Sequence, residues 1–358
     1  MNESGARHKR RSTQYFLLLI LVNLMWAFQY TGAKIATQKI GPITVTFLRM
    51  AMATVLLGLL LLLSRRKKRA SLERGNFGRQ LLSFLVLGIV GCVVAQLGLT
   101  SGVKGSLASN ASVITLVIPV LTALLATVLV GEKMSGLLWI SFALAIAGVL
   151  MVSDVDWGTV HLLRGRYLPG NLLILVGCFG SAFYNAYSKR LLRIFTPLEV
   201  LVYTFAVADV ALFLAMLLGE PGSLHQLGSP GFSVWLSLGM IAVFSLTSAM
   251  ILFFWVIKRI DLTQASLSMY LLPVFGVLIS AVTLKEKMTW QLLAGGILVF
   301  VAAFLATTYG GRNRARQGSP QQGNLSRGTD AAIEKQASIM RRFNRIAWLR
   351  LFATWLRL

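Results

Sequence analysis

Runs of about twenty apolar residues recur along the chain from Tyr15 to about Thr308. A helix that crosses the hydrocarbon core of a bilayer needs about 20 mostly apolar residues. The chain is 56% hydrophobic and only 13% charged, whereas soluble domains carry roughly 25% charged residues. The sequence therefore predicts an all-α polytopic membrane protein rather than a soluble domain with one anchor.

The apolar runs predict ten transmembrane helices. They cover residues 14–36, 43–63, 81–99, 107–130, 137–153, 170–191, 197–218, 232–257, 263–284 and 290–308. The basic start before Phe16–Phe28 has the form of a signal peptide. Because this segment has a counterpart later in the chain, we assign it to the fold instead.

Basic residues set the predicted orientation. The chain has 35 Lys and Arg against 12 Asp and Glu, a net charge of +23. In a soluble protein this excess would indicate a nucleic-acid partner. Here the basic residues lie in loops and tails, above all in Ser64–Arg69, where they favour the cytoplasmic side. We expect a bacterial inner (plasma) membrane protein with both termini in the cytoplasm and no nucleic-acid partner.

The two halves of the chain repeat each other. At an offset of 154 residues Pro119 falls on Pro273 and Glu132 on Glu286, and at an offset of 155 residues, nearer the start of each copy, Lys34 falls on Lys189 and Pro42 on Pro197. Each copy holds an odd number of predicted spans, so the second copy enters the membrane from the opposite side. The sequence thus predicts two inverted five-helix repeats, a design of many secondary transporters.

The predicted domains follow from this repeat. They are a basic cytoplasmic N-terminus (1–13), a first repeat (14–153), an extracytoplasmic linker (154–169), a second repeat (170–308) and a basic cytoplasmic tail (309–358). Within the tail, residues 333–358 are basic and aromatic, which predicts a helix lying on the anionic inner leaflet.

Several of these residues resemble the EamA-type family of the drug/metabolite transporter superfamily. The resemblance lies in Trp26-Ala27-Phe28, Arg49, Pro119 followed by Gly131-Glu132-Lys133, and Pro273 followed by Lys285-Glu286-Lys287. It covers about residues 14–308. It implies a ten-helix basket, with spans one, three, four, six, eight and nine around a central cavity, and transport of small metabolites, often export.

Polar and aromatic side chains at helical spacing predict the faces of a cavity. On span one, Trp26, Gln29 and Tyr30 share one helix face. The complete set of substrate-binding candidates is Trp26, Gln29, Tyr30, Gln96, Asn110, Ser112, Ser181, Tyr184, Asn185, Ser266 and Tyr270. Hydrogen bonding between helices, worth about 0.6–2 kcal/mol per contact, is the competing interpretation.

Two ionisable residues inside spans are candidates for coupling. Asp209 lies near the middle of span seven, where an ionisable group is costly and by default marks function. It predicts a proton-coupling carboxylate or a partner for a cationic substrate, with a packing role as the alternative. Arg49 could bind an anionic substrate group, neutralise Asp209, or snorkel to the interface.

The prolines and loop glutamates form a structural signature. Pro119 and Pro273 lie mid-span, where each removes a helical hydrogen bond and permits a kink. Glu132 and Glu286 lie in short loops, where we expect them to cap helices and lock the loops.

The predicted function is secondary transport by alternating access of an amino acid-like or drug-like metabolite, with export favoured. The alternatives are a membrane-embedded enzyme and a non-transporting scaffold. An intramembrane enzyme needs clustered acids, histidines or metal ligands, whereas His8, His161 and His225 fall in tails or loops. We therefore expect no enzyme activity, no catalytic residues, no metal and no cofactor. The expected partners are the lipid bilayer and a small-molecule substrate, and small-residue faces leave a homodimer open.

Overall fold

The computed structural model describes residues 3–64, 77–130, 136–152, 165–192, 194–222, 228, 230–257 and 271–316. Every regular element in these ranges is a helix. The helices are α1 (Glu3–Thr37), α2 (Pro42–Leu63), α3 (Phe77–Val86), α4 (Val94–Lys104), α5 (Ala108–Ile114), α6 (Val117–Val130), α7 (Gly136–Val152), α8 (Leu168–Leu191), α9 (Pro197–Gly219), α10 (Phe232–Met240), α11 (Ala249–Ile257), α12 (Leu271–Leu284) and α13 (Trp290–Arg316).

The apolar helices confirm a multi-pass, all-helical membrane protein. Six of them are long and apolar enough to span a bilayer: Leu17–Thr37, Pro42–Leu63, Gln80–Lys104, Leu168–Ser188, Pro197–Gly219 and Phe232–Phe253. Four shorter apolar helices are Ala108–Thr122, Trp139–Val152, Leu271–Leu284 and Trp290–Leu305. That all ten cross the membrane in inverted halves stays a prediction. Glu132, Ser266, Tyr270 and the proposed interfacial helix at 333–358 lie outside the described residues.

Several helices extend past their predicted ends. Helix α1 begins at Glu3, α4 continues to Lys104 rather than residue 99, and α13 continues to Arg316. Hydropathy measures where lipid contact ends, but a helix continues through polar residues until its backbone is stopped. Helix α4 ends at its C-cap Gly105, whose N–H still bonds the Ser101 carbonyl.

Two stretches of π-helix interrupt the long helices at equivalent places. The first, π1 (Leu87–Val93), joins α3 to α4, and the second, π2 (Ile241–Ser248), joins α10 to α11. Their first residues, Leu87 and Ile241, are separated by the repeat offset of 154 residues. π-Helical turns are rare and frequently occur at functional sites.

Pro119 accounts for the break between α5 and α6. A proline at this position has no N–H to offer the carbonyl of Thr115. The chain there turns through Thr115 and Leu116, and the Ile118 N–H bonds the Thr115 oxygen at 3.1 Å instead. The predicted kink at Pro119 is thus a break in the helix. Pro273 lies within α12, just after residues that the structure does not describe.

The helices pack in pairs across the two predicted repeats. Helix α7 packs on α13, α2 on α9, α5 on α12, α4 on α8, and α1 on α10 to α12. Glycines permit the closest approaches: a Cβ at Gly98 would lie 2.7 Å from the Gly177 nitrogen, and one at Gly148 would lie 2.8 Å from the Gly295 oxygen. Gly148 of the fifth span and Gly295 of the tenth span therefore pack against each other within one chain.

Candidate functional site

Arg49 lies inside the protein, with only 2% of its surface exposed. Its Nη2 donates to the backbone oxygen of Gln96 at 3.1 Å, to Gln96 Oε1 at 2.9 Å and to Thr100 Oγ1 at 2.7 Å. Its Nε is buried and has no acceptor among the described residues. The guanidinium is turned into the contact between α2 and α4 and does not snorkel.

Asp209 is bonded to α2 rather than to Arg49. Thr54 Oγ1 donates to Asp209 Oδ2 at 2.5 Å, while Asp209 Oδ1 is buried with no partner among the described residues. Thr54 follows Arg49 by five residues on α2. The two ionisable side chains thus flank the same part of the bundle without neutralising each other.

Tyr30 meets the helix break ahead of Pro119. Its hydroxyl donates to Thr115 Oγ1 at 3.2 Å, and Thr115 Oγ1 in turn donates to the Ser112 oxygen at 2.8 Å. The Ile114 carbonyl accepts from Cys178 Sγ at 3.8 Å. Side chains of α1 and α8 therefore satisfy groups at the broken helix.

Tyr184 pairs with a threonine on a different helix of the bundle. Its hydroxyl lies 3.2 Å from Thr204 Oγ1 of α9, and its ring packs on Gly91 of π1. Thr204 occupies the position that Arg49 has in the first half. The second half therefore places a neutral hydroxyl where the first half places a cation.

The other cavity candidates lie in varied surroundings. Trp26 packs on Phe253 with the two rings tilted by 57° and their centroids 5.0 Å apart. Asn110 Nδ2 bonds the Val152 oxygen at 3.1 Å. Ser112 and Ser181 each bond a carbonyl of their own helix, Gln29 is half-buried and Asn185 is exposed. The structure thus brings Tyr30, Arg49 and Gln96 into one region and leaves Asn185 on a surface.

Two glutamates of the second half bind the N-termini of first-half helices. Glu220 accepts from the N–H groups of Ile43 (3.0 Å) and Thr44 (2.9 Å) and from Thr44 Oγ1 (2.6 Å). Carboxylates are stabilising at helix N-termini because the N–H groups there lack partners and the helix dipole is positive. We call this contact and the next one the glutamate clamps.

The second glutamate clamp repeats the geometry of the first. Glu286 accepts from the N–H groups of Ala108 (2.9 Å) and Ser109 (3.0 Å) and from Ser109 Oγ (2.7 Å). Each clamp therefore has two backbone bonds and one hydroxyl bond. Both clamps lie at one end of the bundle, which includes the turns at 38–41, 105–107 and 285–289 and is called the clamp end below.

Lys34 closes another helix terminus at the clamp end. Its Nζ donates to the carbonyls of Val103 (2.9 Å), Lys104 (3.1 Å) and Ser106 (2.5 Å). A cation is favourable at a helix C-terminus, so Lys34 ties α1 to the end of α4. Next to it, a cavity of about 350 Å³ is lined by Thr37, Gln38, Lys39, Ile40, Gly41, Lys104, Glu220 and Gly222.

The sequence offered little signal for the first clamp. Glu220 directly follows α9 and its partner Thr44 is 176 positions away. One clue is the capping box at Thr196 and Glu199, which satisfies the start of α9. At the repeat offset of 155 residues these positions correspond to Gly41 and Thr44, which cannot form such a box. The start of α2 therefore needs a carboxylate from elsewhere.

These features define a helical membrane protein with buried polar contacts between repeated halves. The model of the EamA-like transporter family matches residues 13–154 and 168–308. The chain belongs to this family, and the resemblance read from the sequence is confirmed.

Relatives in several organisms are similar along almost their whole length. An "uncharacterized transporter" of Archaeoglobus fulgidus is 21% identical over 81% of this chain and 97% of its own. The "uncharacterized inner membrane transporter YedA" of Escherichia coli K12 is 26% identical over 83% of this chain and 92% of its own.

A third relative carries a more specific name. The "probable terminal-alkyne amino-acid exporter" of Streptantibioticus cattleyicolor is 25% identical over 83% of this chain and 95% of its own. A solved crystal structure matches 83% of this chain and 96% of its own with a TM-score of 0.56 and 20% identity, which shows a shared fold.

Proposed function

We propose that this protein is a secondary transporter that exports a small, amino acid-like or drug-like metabolite by alternating access. The glutamate clamps are the observation that carries the proposal. They join the predicted halves through contacts that a modest rocking motion would break, at helix ends and not in the packed core. Transport of a small solute agrees with family membership, and the export direction agrees with the name of one relative.

The pairing of helices supports two inverted repeats. Under an exchange of the halves, the contacts α7–α13, α2–α9 and α5–α12 map onto themselves, and α4–α8 maps onto the contact of α1 with α10, π2 and α11. Such symmetry allows each half to adopt the conformation of the other, which gives inward-open and outward-open states of similar energy. The clamp end is then the outer end, with both termini in the cytoplasm of a bacterial inner membrane.

The same arrangement argues against the alternatives. A membrane-embedded enzyme needs convergent acids, histidines or metal ligands. Within the part of the chain that the structure describes, no group of three such side chains is placed to hold a metal ion. A non-transporting scaffold does not need polar contacts at one end that can open and close.

The substrate is sought first by metabolite comparison. Cells with and without the protein are compared for intracellular and extracellular metabolites, and we expect one or a few small solutes to accumulate outside when it is present. The amount of the protein in the membrane is measured in the producing cells, so that a missing effect is not mistaken for missing protein. Equal metabolite profiles in the two strains would count against transport.

Cross-linking then tests alternating access at the clamp end. Gln38 of the first half and Gly222 of the second line the same cavity, so cysteines at both sites can be joined by a short bifunctional thiol reagent. We expect the link to stop flux of the identified solute in proteoliposomes. The native thiols Cys92 and Cys178 are buried.

A matched pair controls for the reagent. Gln38→Cys combined with Lys104→Cys places both thiols in the first half around the same cavity, and we expect flux to continue after linking. Flux at the wild-type rate through the Gln38–Gly222 link would refute opening at this end.

A further inference from the structure

Arg49 is the only cationic side chain that is buried among the described residues. A buried charge is costly unless it is paired. The three acceptors of its Nη2 are the neutral oxygens of Gln96 and Thr100. No described carboxylate forms an ion pair with Arg49, and Asp209 accepts from Thr54 of the same helix α2. Among the residues that the structure describes, the positive charge of Arg49 therefore has no counter-ion.

The unused donor of Arg49 indicates where an anion would bind. Nε is buried without an acceptor among the described residues, and an orphaned buried donor is uncommon in folded proteins. The Gln96 amide oxygen accepts from Arg49, and an amide carries two N–H donors next to its oxygen. Tyr30 is on α1, which packs on α4, the helix of Gln96, and Trp26 is one turn earlier on the same face of α1.

We propose that Arg49 is the binding residue for a carboxylate of the transported solute, with Gln96 as a second donor. The proposal deepens the transport function above and rests on it, because the bound solute is the substrate. A single guanidinium, with no second buried cation in the described parts of the chain, balances a monoanion, which favours a carboxylate over a phosphate. The aromatic face of α1, on which Tyr30 and Trp26 lie, favours a carboxylate on an apolar or aromatic body.

The two halves differ at this position in a way that fits a site. Where the first half has Arg49, the second has Thr204, whose hydroxyl contacts Tyr184. Pure packing symmetry would place similar groups at both positions. A cation in one half only gives a solute with one charged end a single orientation between the halves.

The test measures binding to the purified full-length protein in detergent, where no transport is needed. The probes are matched acids and amides: 3-phenylpropionate and 3-phenylpropionamide, L-phenylalanine and L-phenylalaninamide, hexanoate and hexanamide. We expect at least one acid to raise the thermal unfolding midpoint. Its amide should need an about 30-fold higher concentration for the same shift, because it lacks the charge that pairs with the buried guanidinium. Equal shifts for acid and amide, or no shift with any acid at millimolar concentration, would overturn the proposal.

Three variants separate binding from structure. Arg49→Gln should remove the difference between acid and amide, and Arg49→Lys should restore part of it by restoring the charge. Thr204→Val alters the matching position of the other half and should keep the difference. If Arg49→Gln does not fold, the wild-type comparison of acid and amide decides alone. Flux through the Gln38–Gly222 link together with an intact acid preference would refute opening at the clamp end and leave this site standing.

Discussion

The hydroxyl of Thr54 donates a hydrogen bond of 2.5 Å to Oδ2 of Asp209, joining α2 to α9. This bond occupies one carboxylate oxygen, and Oδ1 stays buried without a partner among the described residues. A carboxyl group placed in this way can hold a proton on its unpaired oxygen. We therefore propose that Asp209 exchanges the coupling proton.

Asp209→Asn should abolish transport driven by a pH gradient and leave substrate exchange between equal pools intact. The amide keeps the shape of the carboxyl group but cannot exchange a proton. Both fluxes are measured in proteoliposomes with the solute found by metabolite comparison. Thr54→Val is the companion variant, because it removes the hydrogen bond and keeps the carboxyl group. Flux of the Asp209→Asn protein that is still driven by pH at the wild-type rate would disprove proton coupling here.

Neutralising either clamp should weaken both the fold and the closed clamp end. Glu220→Gln and Glu286→Gln remove the charge that binds a helix N-terminus, and we expect each to lower the free energy of unfolding by about 0.5–2 kcal/mol. The measurement is the thermal midpoint together with alkylation of a cysteine at Gln38, which should react faster in both variants.

Glu199→Gln is the matched control for the clamps. Glu199 caps α9 through Thr196 within its own half, so its loss should lower stability by a similar amount without joining or separating the halves. Faster alkylation at Gln38 in this variant would show that the label reports general loosening and not opening of the clamp end.

Lys34→Met should destabilise the junction of α1 and α4. The substitution keeps the apolar stem but leaves the carbonyls of Val103, Lys104 and Ser106 without their shared donor. Carbonyls left without a partner cost about 1–3 kcal/mol. The thermal midpoint of the purified protein measures the loss. A midpoint equal to the wild type would mean that water replaces the lysine at no cost.

Gly276→Ala should overpack the contact between α5 and α12. A Cβ at Gly276 would lie 2.3 Å from Ser112 Cβ, and overpacking of this kind costs about 1–3 kcal/mol. Adding Ser112→Gly should restore most of the loss, because it removes the atom that clashes. Additive losses in the double variant would contradict the predicted contact between the two positions.

Hydropathy was enough to predict the apolar helices because lipid solvation acts on whole segments, and the paired proline and glutamate motifs were enough to identify the family. Arg49 and Asp209 were also identified as unusual, because they are ionisable residues inside predicted spans. The partners of these residues could not be predicted, because Thr54 and Thr100 are ordinary threonines until packing places them. The first clamp was hidden for a similar reason, since Glu220 follows a span and reads as a solvated loop residue. Glu286 was expected to cap a helix, but only packing identifies α5 as that helix.

The π-helical stretch Leu87–Val93 fixes the rotational phase of everything that follows it in the third span. A π-type turn accommodates extra backbone relative to an α-helix, and each residue of an α-helix turns the chain by about 100°. Rewinding these seven residues into an α-helix, with none removed, would add rotation along the stretch and swing Gln96 and Thr100 away from the guanidinium of Arg49. The helix type of this stretch is thus felt as a rotation of the polar groups, although no residue is altered.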